Sequence, residues 1–123
     1  MKLLLDTHVL LWWLDDNRAL AQRTKNRIAD GANQVLVSAA SIWEIVIKRS
    51  LNKLVLPHDF AKQLDLFQRL VVKPEHALAV GDLPDYHKDP FDRLLIAQCI
   101  VEGLVLITGD ANIKRYDVPV LDA

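Results

Sequence analysis

The chain contains one cysteine, Cys99, in 123 residues. An internal disulfide is therefore excluded, and a reducing, cytoplasmic setting is expected. Glycine (four) and proline (five) are also scarce, which excludes collagen-like and linker-rich chains. Long apolar runs are missing. The longest, Val9–Leu14, has six residues, against about 20 for a membrane-spanning helix. No membrane partner is expected. Three leucines between Lys2 and Asp6 are too short an apolar run for a secretory leader, so none is expected. Neither sign of charge dominates: 15 Lys and Arg oppose 16 Asp and Glu, for a net charge of −1. Bulk charge thus does not announce a nucleic-acid binder, which is usually basic. Nucleophile elbows, phosphate-binding glycine loops, C-x-x-C and H-E-x-x-H are all absent, so serine-hydrolase, nucleotide-binding and zinc chemistry lack their signals.

What is present is an ordinary core-forming composition, 51% apolar and 25% charged. The length fits one domain spanning residues 1–123, large enough to bury about two-thirds of its unfolded surface. No repeat or composition shift marks a boundary. Short apolar strands are expected at Lys2–Leu5, Val35–Val37, Val71-Val72 and Leu104–Ile107, with an edge strand at Pro119–Leu121. Between them the spacing predicts helices over Val9–Leu14, Arg18–Ala29, Ser38 or Ser41 to about Ser50, Pro57–Leu70, Pro74–Val80 and Pro90–Glu102. Pro90 suits a first helical turn and Gly103 a helix stop. Strands alternating with helices give a three-layer α/β/α sandwich on a central parallel sheet. Such sheets place their sites beyond the carboxyl ends of the strands.

Thirteen of the sixteen acids are Asp, a residue that favours helix starts, turns and cation sites. Asp6 follows the first strand, and Asp110 follows the fourth after Thr108-Gly109. Glu44 lies in the helix after the second strand, and Asp92 in the first turn of the helix that starts near Asp89. All four belong at one edge of the sheet. Carboxylates gathered there repel one another and raise each other's pKa values. A hard divalent cation relieves that repulsion, lowers the pKa of bound water and stabilises charge on a phosphoryl oxygen. Most of these acids have a structural reading as well. Asp89 serves as an N-cap ahead of Pro90, and Asp92 suits a helix dipole. Glu44 completes an S-x-x-E capping box with Ser41, and Asp110 caps the Ala111–Lys114 turn. Asp6 is the hardest to explain that way. Thr7, Thr108 and Asn112 offer hydroxyl or amide groups beside the acids. Lys48, Arg49, Lys53, Arg93, Lys114 and Arg115 offer cations for phosphates. His8 is most simply a packing or capping residue. Of Trp12 and Trp13, one is expected in the core and one partly exposed. Cys99 reads as a small buried hydrophobe.

With these residues in place, the chain resembles the PIN-domain ribonucleases, specifically the VapC-type toxins. The matching stretches are Leu3–His8, Ser38–Ile45, His87–Gln98 and Leu106–Asp110, in that order and spacing. The D-P-F-D-R-L-L-I-A-Q run, Asp89 to Gln98, is the most specific. The resemblance implies a metal-dependent endoribonuclease in which Asp6, Glu44, Asp92 and Asp110 form the acidic quartet. Asp6, Asp92 and Asp110 would hold Mg²⁺ or Mn²⁺. Asp89, Thr7, Thr108 and Arg93 are secondary candidates. The resemblance also implies an RNA substrate, a homodimer, a cognate antitoxin protein and adjacency of the first and fourth strands. Trp43, within an apolar stretch beside Glu44, is a candidate antitoxin contact. Two rival readings remain. One is a non-catalytic module whose acidic pocket docks a basic peptide. The other is a metal-dependent phosphatase, disfavoured because Asp6-Thr7-His8 lacks a second Asp two residues on.

Overall fold

A computed structural model describes residues 1–123. The sheet holds five strands: β1 (Lys2–Leu5), β2 (Gln34–Ser38), β3 (Gln68–Leu70), β4 (Val105–Thr108) and β5 (Val120–Asp122). All pairings are parallel, in the order β3-β2-β1-β4-β5. β1 is central, with Leu4 opposite Leu36 on one side and Leu106 on the other. Its side chains alternate between two cores. Leu3 and Leu5 join Val9, Leu10, Ile45, Phe67 and Ile107 on one face. Leu4 joins Leu95, Ile96, Cys99 and Leu106 on the other. The helices supply the outer layers of the sandwich: α1 (Thr7–Leu14), α2 (Gln22–Ala29), α3 (Ala39–Ser50), α4 (Phe60–Gln63), α5 (Pro74–Val80) and α6 (Pro90–Glu102). No helix is long and apolar enough to cross a membrane.

Three helices start on a side-chain cap, and two of those caps immediately follow a strand or end it. Asp6 Oδ1 accepts the Val9 amide at 2.7 Å, Ser38 Oγ accepts the Ala40 amide at 3.0 Å, and Asp89 Oδ1 accepts the amides of Phe91 and Asp92. α6 ends at Gly103, whose φ of +67° is the left-handed value that glycine adopts without a Cβ penalty.

Some local expectations give way to tertiary contacts. The expected Pro57–Leu70 helix shortens to α4 and a 3₁₀ turn at Leu64–Leu66. The chain then becomes β3, because Gln68–Leu70 finds ladder partners along β2 and Leu70 is buried in the second core. The third strand is therefore Gln68–Leu70 and not Val71-Val72, which lie past its end with exposed side chains. Strand propensity without a pairing partner does not make a strand. The helix expected from Arg18 begins only at Gln22, after turns in which Asn17 Oδ1 holds the Ala19 amide. Trp12 and Trp13 are both half-buried against the first core, and the strongly exposed tryptophan is Trp43.

Candidate acidic site

The adjacency of β1 and β4 brings two acids together. The Asp6 amide donates to the Ile107 carbonyl, so the two chain segments stay paired as they leave the sheet. The Thr108 hydroxyl, fully buried, donates to Asp6 Oδ2 and accepts the Asp110 amide at 3.0 Å. One threonine thus links the Asp6 carboxylate to the Asp110 backbone. Asp110 Oδ1 also accepts the Asn112 amide at 2.8 Å, which bends the chain into a 3₁₀ turn at Ile113–Arg115. The turn-forming and site readings of Asp110 are therefore compatible.

Glu44 joins the same corner from α3. Its Oε1 accepts the Thr7 hydroxyl at 2.7 Å, and its Oε2 pairs with Lys48 at 3.0 Å. Thr7 Oγ1 also lies 3.1 Å from Ser41 Oγ. The Ser41–Glu44 capping box does not form. Ser38 caps α3 instead, because strand β2 ends there, and Glu44 turns inward to Thr7. Lys48 sits one helical turn beyond Glu44, the spacing at which helix side chains meet.

Asp92 enters from the first turn of α6. Burial pushes its carboxyl up to about 6; Asp89 and Asp110 add to the rise, and a hydrogen bond from His87 opposes it. Asp6 is raised for the same main reason, burial. The Thr108 hydroxyl, the Val9 amide and His8 hold it back, while Asp110 raises it further. Asp110 therefore acts electrostatically on both Asp6 and Asp92, which places three acids in one field. No three His, Cys, Asp or Glu side chains are already drawn together as a closed ligand group. The donor set is nevertheless all oxygen and partly desolvated, and its carboxylates repel. Those properties match the demands of a hard divalent cation.

The remaining candidates separate. Asp89 is engaged as the N-cap of α6 and touches Asp92 only through charge. Arg93, expected beside the acids, makes no hydrogen bond or ion pair with the site carboxylates and pairs instead with the exposed Asp85 at 3.6 Å. Its guanidinium donates to the Pro84 carbonyl at 2.8 Å and to Tyr116 Oη at 2.9 Å, with longer contacts to the carbonyls of Val80, Leu83 and His87. Backbone carbonyls of the loop before α6 converge there and capture the cation. Lys114 pairs with Asp122, and Arg115 bonds the Tyr86 carbonyl and covers its ring. Arg49 and Lys53 stay exposed.

Sequence reasoning gave no role to three polar side chains around the site, although two of them, His87 and Gln98, lie in the matching His87–Gln98 stretch. Gln98, the last residue of the D-P-F-D run, is fully buried. Its Oε1 accepts the Ser38 hydroxyl at 2.6 Å and its amide donates to the Val71 carbonyl, tying α6 to the start of α3. A glutamine among apolar helix residues was the available signal. His87 and Tyr116 contact each other and reach Asp92 and Arg93. No local pattern joins them, since 29 positions separate the pair.

Residues 3–119 match the family model of the PIN domain. Ribonuclease VapC22 of Mycobacterium tuberculosis is 30% identical over 121 residues, covering 94% of this chain and 92% of that protein. Among solved structures, VapBC2 from Rickettsia felis, bound to a DNA fragment from its promoter, contains a chain with a TM-score of 0.74. Its identity is 14%, with 100% of this chain and 99% of that one covered. A toxin–antitoxin complex from Klebsiella pneumoniae gives a TM-score of 0.71 at 18% identity, covering 96% and 94%.

Proposed function

The chain belongs to the PIN-domain family, and from that premise we propose that it is a Mg²⁺- or Mn²⁺-dependent endoribonuclease acting as the toxin of a toxin–antitoxin pair. The observation that carries this reading is the convergence at the ends of β1 and β4. Asp6 and Asp92 both sense Asp110, and Glu44 is fastened to Thr7, the residue next to Asp6. In this reading Asp6, Asp92 and Asp110 hold the cation. A bound divalent cation supplies neutralisation of the clustered charge, a lower pKa for water and stabilisation of charge developing on a phosphoryl oxygen.

The chain's own residues do the positioning. Thr108 fixes the Asp6 carboxylate by donating to Oδ2. Thr7 and Lys48 hold the two oxygens of Glu44. Each oxygen keeps a further lone pair, so Glu44 accepts a hydrogen bond from the attacking water and orients it. The exposed cations Arg49 and Lys53 contact phosphates of the RNA. Ribonuclease VapC22 supports RNA as the substrate, and the similarity to a chain of a toxin–antitoxin complex supports an antitoxin partner. A homodimer in the cytoplasm completes the proposal.

The test is cleavage of RNA with added Mg²⁺ or Mn²⁺, with and without EDTA, by the wild type and Asp6→Asn. Cleavage should vanish in chelator and in the variant. Full activity in either would overturn the reading.

A further inference from the structure

The loop ahead of α6 carries a histidine that the acid cluster does not account for. His87 is engaged at both ring nitrogens and is largely buried, with 12% of its side chain exposed. Nε2 lies 3.2 Å from Asp92 Oδ2, and Nδ1 lies 2.8 Å from Tyr116 Oη. Tyr116 decides which nitrogen holds the proton. Its oxygen already accepts hydrogen bonds from Arg93 Nη1 at 2.9 Å and from the His87 amide at 3.3 Å. Arginine and the amide only donate, so the phenol's single proton must go elsewhere. Its two possible acceptors are His87 Nδ1 at 2.8 Å and the His87 carbonyl at 3.5 Å. The shorter contact takes it. Nδ1 is then an acceptor, and the imidazole proton sits on Nε2, facing the carboxylate. The opposite neutral tautomer would set a nitrogen lone pair against Oδ2.

A directed chain results: Arg93 donates to Tyr116, Tyr116 to His87, and His87 to Asp92. Its far end is firmly anchored, because Arg93 also binds the loop carbonyls and its guanidinium lies 5.9 Å from the Tyr116 ring centroid. The His87 and Tyr116 rings meet edge to face at 5.4 Å. At the near end, Asp92 Oδ2 accepts the His87 Nε2–H hydrogen bond and Oδ1 accepts none. An aspartate carboxylate turns easily about χ2, whose torsional preference is broad. A fixed donor on one oxygen removes that freedom.

We propose that His87 is a positioning residue for the acidic site. Held in its Nε2–H tautomer by Tyr116 and Arg93, it locks the Asp92 carboxylate by one oxygen and leaves the other available to a cation. The proposal rests on the reading of Asp92 as a site carboxylate and assigns the partner that orients it. It also gives Arg93 a role other than phosphate binding.

The experiment compares full-length wild type, His87→Leu, His87→Gln and Tyr116→Phe, each checked for folding by thermal unfolding in EDTA. The first measurement is calorimetric binding of Mn²⁺ alone, without RNA. His87→Leu should weaken it about 10- to 100-fold, the range typical of lost hydrogen-bond partners around metal ligands. His87→Gln should recover most of the loss, because its amide still offers an N–H to Oδ2. In RNA cleavage, His87→Leu should lower kcat at saturating Mn²⁺ with KM for RNA unchanged. The second measurement is imidazole ¹⁵N NMR of the metal-free protein. The wild type should show His87 as the Nε2–H tautomer, and Tyr116→Phe should mix the tautomers. Wild-type Mn²⁺ affinity in folded His87→Leu, equal impairment of the Gln and Leu variants, or an Nδ1–H wild type would each overturn the proposal. A wild type that neither binds Mn²⁺ nor cleaves RNA overturns the nuclease reading instead, and the tautomer spectrum then decides the hydrogen-bond chain by itself.

Discussion

Asp92→Asn should make the metal-free protein more stable while abolishing its nuclease activity. The Asp92 carboxyl titrates at about 6 in the fold, against 3.8 as its ordinary value. The folded protein therefore binds this proton more tightly than the unfolded chain does. Stability associated with the group is greatest below about pH 4 and falls as the pH rises through about 6. Above that, the ionised carboxylate sits desolvated beside Asp89 and Asp110. A shift of about two units corresponds to roughly 3 kcal/mol at 1.36 kcal/mol per unit. The side chain keeps 19% of its surface exposed, and solvent screening trims the penalty to about 1–2 kcal/mol. The asparagine amide removes the charge, and its oxygen still accepts the His87 N–H. Urea unfolding in EDTA at pH 7.5 should show the variant more stable by that amount, on the order of 5 °C in Tm. The gap should close by about pH 4, where both side chains are neutral. Saturating Mn²⁺ should reverse the order, since a ligand at 100 times its Kd adds about 2.7 kcal/mol to the protein that binds it. A variant no more stable than wild type at pH 7.5, or a gap unchanged with pH, would refute the reasoning.

Two further substitutions probe the frame around the acids. Thr108→Val keeps the shape but leaves the buried Asp6 Oδ2 without its hydroxyl donor. It should cost about 1–3 kcal/mol in urea unfolding and reduce RNA cleavage, with Thr108→Ser restoring both. Gln98→Leu strands the Ser38 hydroxyl and the Val71 carbonyl. It should cost a similar 1–3 kcal/mol and lower cleavage, because the start of α3, the helix carrying Glu44, loses its tie to α6. Wild-type unfolding curves for this variant would show that the tie carries no weight.

Local rules reached far into this fold but stopped at identifiable places. The strand at Lys2–Leu5, the proline start and glycine stop of α6, and the Asp89 cap follow from signals only a few residues long. The Pro57–Leu70 segment misled because Phe60, Leu64 and Phe67 do share one core at helical spacing. The edge of β2 nevertheless claimed residues 68–70, and pairing along a sheet outweighs periodicity in so short a stretch. The Ser41–Glu44 pattern misled in a similar way. It has the form of a capping box, but its glutamate is more strongly engaged by Thr7, 37 positions away. Arg93 illustrates the converse. Its nearest acids in sequence are Asp89 and Asp92, yet loop carbonyls, Tyr116 and the exposed Asp85 hold its guanidinium.

Composition and pattern by themselves determined the architecture of alternating strands and helices, the two apolar faces of β1 and the positions of Asp6 and Asp110 just past strand ends. These properties are local, set by side-chain polarity and the periods of helix and strand. The tertiary structure alone decided which polar groups meet. Thr108 reaches Asp6 across 102 positions because β4 lies beside β1 in register, and His87 finds Tyr116 because the final turn folds back over α6. Such pairings arise from strand order and loop closure, and no short window of sequence encodes either.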